Sequence, residues 1–347
     1  MKRRDFLTTT SAALAATALF GCSKSDQPVL RIYTWADYLD PKIAKRFEKE
    51  NGCSLQIDTF DSNESMYSKL TAGASGYDLL TPTSYMVKAL VRDKMLQPLD
   101  HAKLPNLKHI DADYLKRALD SKMAHSVPYM MSATCLGWLG SKVSNPVASY
   151  SMLDRADLKG RVTLLDDMRE VLGAALLSLG FPLNSKDPAE LARARDVSIR
   201  WKKNIAKFES EQYKSGLASG EFYLVQGYAG DLLQVAGENE DIVVKIPREG
   251  AAFSCDDLCI PVKSSQTKLA HKFINFVTDP ANCAENMVGI AFRAPNSGAY
   301  PLLSEDFRGN DALFPSPEIF AKCQPIDDLG DALVLWSKTW DEVKAAS

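Results

Sequence analysis

The sequence predicts an α/β chain of two domains, and three observations carry that prediction. Short β-rich runs alternate with amphipathic helical stretches in βαβαβα order, the pattern of a mostly parallel sheet flanked by helices. The chain's 347 residues exceed what one hydrophobic core usually organises. Aromatic and acidic residues gather in the segments that follow strands, which is where open α/β sheets bind ligands.

The N-terminal stretch stands apart from the fold. Lys2, Arg3 and Arg4 form a basic head in "RRDFL", a twin-arginine type of export signal, and the small-residue run "AALAATALFG" follows. "LFGC" resembles a bacterial lipobox, so residues 1–21 are expected to be an export signal and Cys22 the lipidated first residue of the mature chain. A membrane-spanning reading is disfavoured, because threonines and alanines leave no strongly apolar run of spanning length. Residues 22–27 read as a polar tether. Without the leader the chain keeps 38 basic and 43 acidic residues, a net of −5. That balance, with no Lys/Arg clusters, excludes an electrostatic nucleic-acid binder. Six dispersed cysteines remain (Cys53, Cys135, Cys255, Cys259, Cys283 and Cys323) with neither CxxC pairs nor metal-ligand spacing, so no bridge is assigned.

The elements follow in order. "PVLRIYTW" is a first strand. The next helix has Asp40 as N-cap, Pro41 at N1, Ile43, Ala44 and Phe47 on one face, and Asn51-Gly52 as its stop. "CSLQIDTF" is a second strand, and a helix from Ser62 carries Met66 and Leu70. "YDLLTPTS" is a short buried strand leading into the helix "YMVKALVRDKML". "HSVPYMMSATCLGW" reads as strand, hinge and strand. Beyond it lie the strand "KGRVTLLDD", the helices "REVLGAALLSLG" and "DPAELARARDVSIRWKKN", and "GEFYLVQGYAGD", a strand running into a glycine-containing loop. "DIVVKIP" and "DDLCIPV" are strands, and "TKLAHKFINFVTDP" is a helix stopped at Asp279-Pro280.

Seven strings now carry a family resemblance: "YTWADYLDP", "SNESMYSKL", "YDLLTPTSY", "LLDDMREVLGAALLSLG", "GYAGD", "IPREGAAFSCDDLCIP" and "KFINFVTDP". In this order, from residue 33 to 280, they resemble the periplasmic polyamine-binding proteins that serve ATP-driven spermidine and putrescine importers. The resemblance implies a two-lobed periplasmic-binding-protein fold, each lobe a mostly parallel sheet flanked by helices, with the ligand cleft between them. It places the crossings near Pro128–Met131 and Cys255–Asp257. Lobe one is then 28–129 plus 257–300, and lobe two 130–256 plus 301–347.

A polyamine site needs carboxylates to accept charge-assisted hydrogen bonds from ammonium groups. It also needs aromatic faces against methylenes and cations, at about 0.5–2 kcal/mol per contact, and closure that excludes water. Carried over residue by residue, the resemblance implies ligand positions at Trp35, Asp37 and Tyr38, at Ser84 and Tyr85, at Asp167 and Glu170, at Tyr228 and Asp231, and at Asp256. Tyr228 stands where the family usually has tryptophan, Ser254 where it has an aromatic, and Phe292, itself expected at the ligand, where it has tyrosine. Ile326 falls where spermidine binders carry glutamine. These departures suggest a retuned pocket, and Asp231 leans it toward putrescine or a related diamine.

Local roles read from the same residues. Asp166 or Asp167 with Glu170 is what a capping box looks like. Ser84 is an ordinary N-cap candidate, Tyr85 a core aromatic, and Asp231 a cap for the following helix. One of Asp256 and Asp257 is expected to face the cleft, and Asp256 is the choice. No catalytic, P-loop or metalloprotease motif is present, and His101, His109, His125 and His271 lie away from the acidic loops. The expected function is capture of a polyamine and delivery to ABC permease subunits by a monomer held to the membrane only by its lipid. No cofactor or metal is expected; a sensor or binder for another small organic cation is the alternative, ahead of a metal-binding protein or an enzyme.

Overall fold

The computed structural model describes residues 27–116 and 118–346. The expected export signal, Cys22 and the expected tether up to Asp26 lie outside the described residues. Strand β1 (Val29–Thr34) pairs in parallel with β2 (Ser54–Thr59) and β3 (Leu79–Leu80). Helix α1 (Pro41–Asn51) links β1 to β2 as its punctuation predicts. The Asp40 carboxylate accepts from Lys42 N, proline opens the helix, and Gly52 ends it at φ 58°. Helix α2 (Asn63–Thr71) is capped by Ser62, α3 (Ser84–Arg92) starts directly after Thr83, and α4 (Ala112–Leu115) is a single turn.

Strand β4 (Ser126–Leu139) ties the molecule together. Ser126–Ala133 pairs antiparallel with a later strand, β9, while Thr134–Leu139 pairs with β7 and β8. The intervening elements are β5 (Val162–Leu164), α5 (Met168–Ser178), α6 (Pro188–Lys202), β6 (Ile205–Phe208), α7 (Tyr213–Ser219), β7 (Leu224–Tyr228), α8 (Ala229–Ala236), β8 (Ile242–Lys245) and β9 (Ala252–Cys259). Then come α9 (Thr267–Val277), α10 (Pro280–Ile290), β10 (Gln324–Pro325) and a C-terminal helix, Leu333–Ala345. The strand order is β2-β1-β3-β9-β4-β7-β5-β6, with β10 on β9 and β8 on β4. The parallel pairs lie within each half, and β4 joins the halves through antiparallel pairing.

Sequence reading split 125–138 at a hinge, whereas β4 is one strand. Pro128 offers no N–H to the ladder, and the register shifts between Pro128 and Met130, so a bulge absorbs the proline without ending the strand. Pairing passes from β9 to β7 at Ala133–Thr134, a few residues beyond the expected crossing. "GEFYLVQGYAGD" likewise runs straight from β7 into α8, without an intervening loop.

The cores follow the two halves. Leu30, Ile43, Phe47, Val127, Phe273 and Met287 belong to one cluster, and Trp138, Tyr150, Leu172, Trp201 and Trp336 to another. Leu303, Phe307 and Phe314 still pack on the first, and the chain joins the second at Ile326. The six cysteines among the described residues are free. No helix among the described residues is long and apolar enough to cross a membrane.

Candidate functional site

Between the halves lies a cleft of about 970 Å³, and the ends of β1, β3, β5 and β7 all deliver side chains to it. Trp35, Asp37, Tyr38, Tyr85, Asp167, Glu170, Tyr228, Asp231, Asp256 and Phe292 all line it. Ser84 does not. Its hydroxyl donates to the Cys255 carbonyl at 3.0 Å, and its neighbour Thr83 presents a hydroxyl to the cleft instead. Thr83 is extended and Ser84 opens α3, so consecutive side chains leave in different directions.

The floor is built around Asp256. Tyr38 donates its hydroxyl to Oδ2 at 2.5 Å and Thr83 donates to Oδ1 at 2.6 Å. Asn63 fixes Thr83 from below, accepting from its backbone N–H at 3.0 Å and donating to its hydroxyl at 2.9 Å. Burial pushes the Asp256 carboxyl up to about 6, against the pull of both hydroxyls. A buried carboxylate with only neutral donors is short of positive charge. Its neighbour Asp257 faces away, accepting from Ser126 Oγ at 2.9 Å.

The aromatic wall follows from two short loops. Trp35 leaves the end of β1, donates Nε1–H to the Thr81 carbonyl at 3.0 Å and packs edge-on against Phe60 with centroids 4.4 Å apart. The Tyr38 ring meets Phe292 at 5.0 Å and Tyr129 at 5.7 Å, both edge to face. Tyr85 closes one side by donating to Glu64 Oε1 at 3.0 Å.

The far half contributes acids in two groups. Asp167 caps α5, its Oδ1 accepting from the N–H groups of Arg169 and Glu170 at 2.7 and 3.1 Å, and it lines the cleft as well. Glu170 accepts from Thr134 Oγ1 at 2.6 Å; burial first, then the nearby Asp167, pushes it up to about 8. Asp231 sits in the first turn of α8 and accepts from Tyr213 at 2.5 Å, and burial raises its carboxyl too.

Thr83, Asn63, Arg169, Tyr213 and Lys214 also line the cleft and are not among the residues expected from the sequence. Thr83 had a usable signal, since it adjoins the chosen Ser84 in "TPTSY"; Lys214 in "EQYKSG" had none. Ser254 and Ile326, noted as departures, both line the cleft. No histidine does, and among the described residues no group of three or more His, Cys, Asp or Glu side chains is placed to hold a metal ion.

The cleft walls already touch. Gln234 Nε2 donates to the Ile290 carbonyl at 2.8 Å, and Lys88 pairs with Asp327 at 2.8 Å. Phe292 lies so close to Gly230 that a Cβ there would sit 2.1 Å from its ring.

Residues 42–315 match the family model described as bacterial extracellular solute-binding protein. A putrescine/cadaverine-binding protein of Pseudomonas aeruginosa is 34% identical over 95% of this chain and 98% of its own length. The spermidine/putrescine-binding periplasmic protein 1 of Haemophilus influenzae is 30% identical over 97% and 98%. Among solved structures, the TpPotD lipoprotein of Treponema pallidum matches with a TM-score of 0.83 and 33% identity over 91% of this chain and 99% of that one. With a fold, a cleft and a near full-length match in agreement, the chain belongs to the bacterial extracellular solute-binding proteins.

Proposed function

We propose that this protein captures a polyamine outside the cytoplasm and passes it to an ABC importer. The observation that carries the reading is Asp256. It is a buried carboxylate held by two neutral hydroxyls beneath an aromatic wall, in a cleft lined by further acids and closed by contacts between the halves. An organic ammonium supplies the missing charge, and the rings of Trp35, Tyr38 and Phe292 suit its methylenes. The relatives' names support the ligand class and the periplasmic setting.

The ligand positions are Trp35, Asp37, Tyr38, Tyr85, Asp167, Glu170, Tyr228, Asp231, Asp256 and Phe292, with Thr83 in place of Ser84. The lobes join along β4 and β9, and their closing over the ligand excludes water and presents one surface to the permease subunits. The working form is a monomer, tethered at a lipidated Cys22 after export. Its role is binding and delivery, without chemistry on the ligand.

The test is calorimetric titration with putrescine, cadaverine, spermidine and spermine. A one-to-one complex with one of them is expected. Silence with all four overturns the reading and leaves the alternative, another small organic cation, to which Ser254 and Ile326 in the wall point.

A further inference from the structure

Two cations line the cleft: the Arg169 guanidinium is turned onto the Asp327 carbonyl and Asn184 Oδ1, whereas Lys214 reaches across to the acids. The Lys214 ammonium on α7 lies 3.0 Å from Asp37 Oδ2 across the gap, 3.1 Å from Gln234 Oε1 and 3.9 Å from Asp231 Oδ1. Both carboxylates are ones a ligand would otherwise meet. The placement is built rather than incidental. Tyr213, next in the chain, is buried, donates to Asp231 Oδ2, and fits against Gly227 so tightly that a Cβ there would sit 2.3 Å from its ring. The start of α7 is thereby fixed, and with it the origin of the Lys214 side chain. Across the cleft, Asp37 holds φ at 53°, a left-handed conformation unusual for a residue other than glycine and one that persists where the surroundings demand it.

We propose that Lys214 is a specificity-determining residue, its ammonium filling the carboxylate station made by Asp37 and Asp231, so that the cleft takes diamines in preference to triamines and tetramines. Of the acids that line the cleft, the five proposed for the ligand fall into three stations: Asp37 with Asp231, Asp256 with Tyr38 and Thr83, and Asp167 with Glu170. Each ammonium of a bound amine needs a carboxylate of its own. With the first station occupied from within, two remain, which matches putrescine or cadaverine. A third ammonium has to displace Lys214 or lie beside it, where it meets a like charge at the same carboxylates. The Asp37–Lys214 pair is too exposed to add much to stability, so its effect falls on selectivity.

The inference rests on the polyamine reading, and the test separates the two. Putrescine, cadaverine, spermidine and spermine are titrated calorimetrically into the wild-type protein and into Lys214→Met, which keeps an unbranched side chain one atom shorter and removes the charge. Lys214→Gln serves as a second variant, and thermal melts confirm that each is folded. The expected result is a wild type that prefers a diamine and variants whose spermidine-to-putrescine affinity ratio rises at least tenfold. A wild type that prefers spermidine, or a ratio unchanged within twofold, overturns the role of Lys214 and leaves polyamine binding standing. Equal weakening toward all four amines makes Lys214 a closure contact and also overturns it. Wild type and variants silent toward every amine overturn both readings together.

Discussion

Asp256→Asn separates what this cleft is for from what holds the protein together. In the ligand-free protein burial raises the Asp256 carboxyl from 3.8 to about 6. A carboxyl raised by folding stabilises the folded state while it stays protonated, and that stability is lost as pH rises from the unfolded value through the folded one. The shift corresponds to a cost of about 3 kcal/mol for holding the charge above pH 6. Asparagine imitates the neutral acid. One of the donors Tyr38 and Thr83 then faces an amide N–H₂, and the Thr83 hydroxyl has to turn to accept, at about 1 kcal/mol. The variant is therefore about 2 kcal/mol more stable than wild type at pH 8, a rise in melting temperature of about 3 °C for a chain of this size. At pH 4.5 that advantage disappears. Putrescine affinity at pH 8 falls about 10- to 100-fold, the loss of one charge-assisted hydrogen bond. Ligand-free melts at the two pH values and a titration at pH 8 read all three quantities. A variant less stable than wild type at pH 8, or a difference that ignores pH, refutes the reasoning.

Three further predictions follow from the same geometry. Trp35→Ala should weaken putrescine binding by roughly tenfold, one cation–π contact, and lower the ligand-free melt through the lost contacts with Phe60 and the Thr81 carbonyl; equal affinity in a titration removes Trp35 from the site. Affinity should rise with pH, because a bound ammonium favours the ionised acids. Below pH 6 both Asp256 and Glu170 must release protons; from pH 6 to about 8 only Glu170 does, and above that the dependence flattens. Calorimetry in amine-free buffers of different ionisation enthalpy at pH 7 should register proton release, and none at that pH would place Glu170 outside the ligand's reach. Gly230→Ala puts a Cβ against the Phe292 ring across the cleft and should cost about tenfold or more in affinity. Parting of the halves in the absence of ligand relieves that clash, and alanine suits a helix better than glycine, so the ligand-free melt should hold or rise. A fall in both affinity and melting temperature would mean that Gly230 serves the fold rather than closure.

Much of the fold is legible because local chemistry and tertiary structure agree. Asp40, Pro41 and Gly52 punctuate α1 as their side chains dictate, and Asp187-Pro188 opens α6 in the same way. Asp167 shows that two readings of one residue can both hold, since the carboxylate that caps α5 also lines the cleft. What escaped depends on contacts distant in sequence. A proline in a strand reads as a break, and only the pairing of β4 with β9 shows that a bulge absorbs it. The exchange of Ser84 for Thr83 turns on the direction of one side chain at a helix start. Lys214 meets Asp37 across 177 positions, and no local pattern announces such an ion pair.

The proposed meeting of Asp256 with the ligand's charge is open to direct observation in crystals of the protein grown with putrescine. One ammonium is expected within hydrogen-bond distance of Asp256 Oδ1 or Oδ2, with the methylenes lying along the aromatic wall. Putrescine bound elsewhere, or in the cleft with no nitrogen near Asp256, would contradict it.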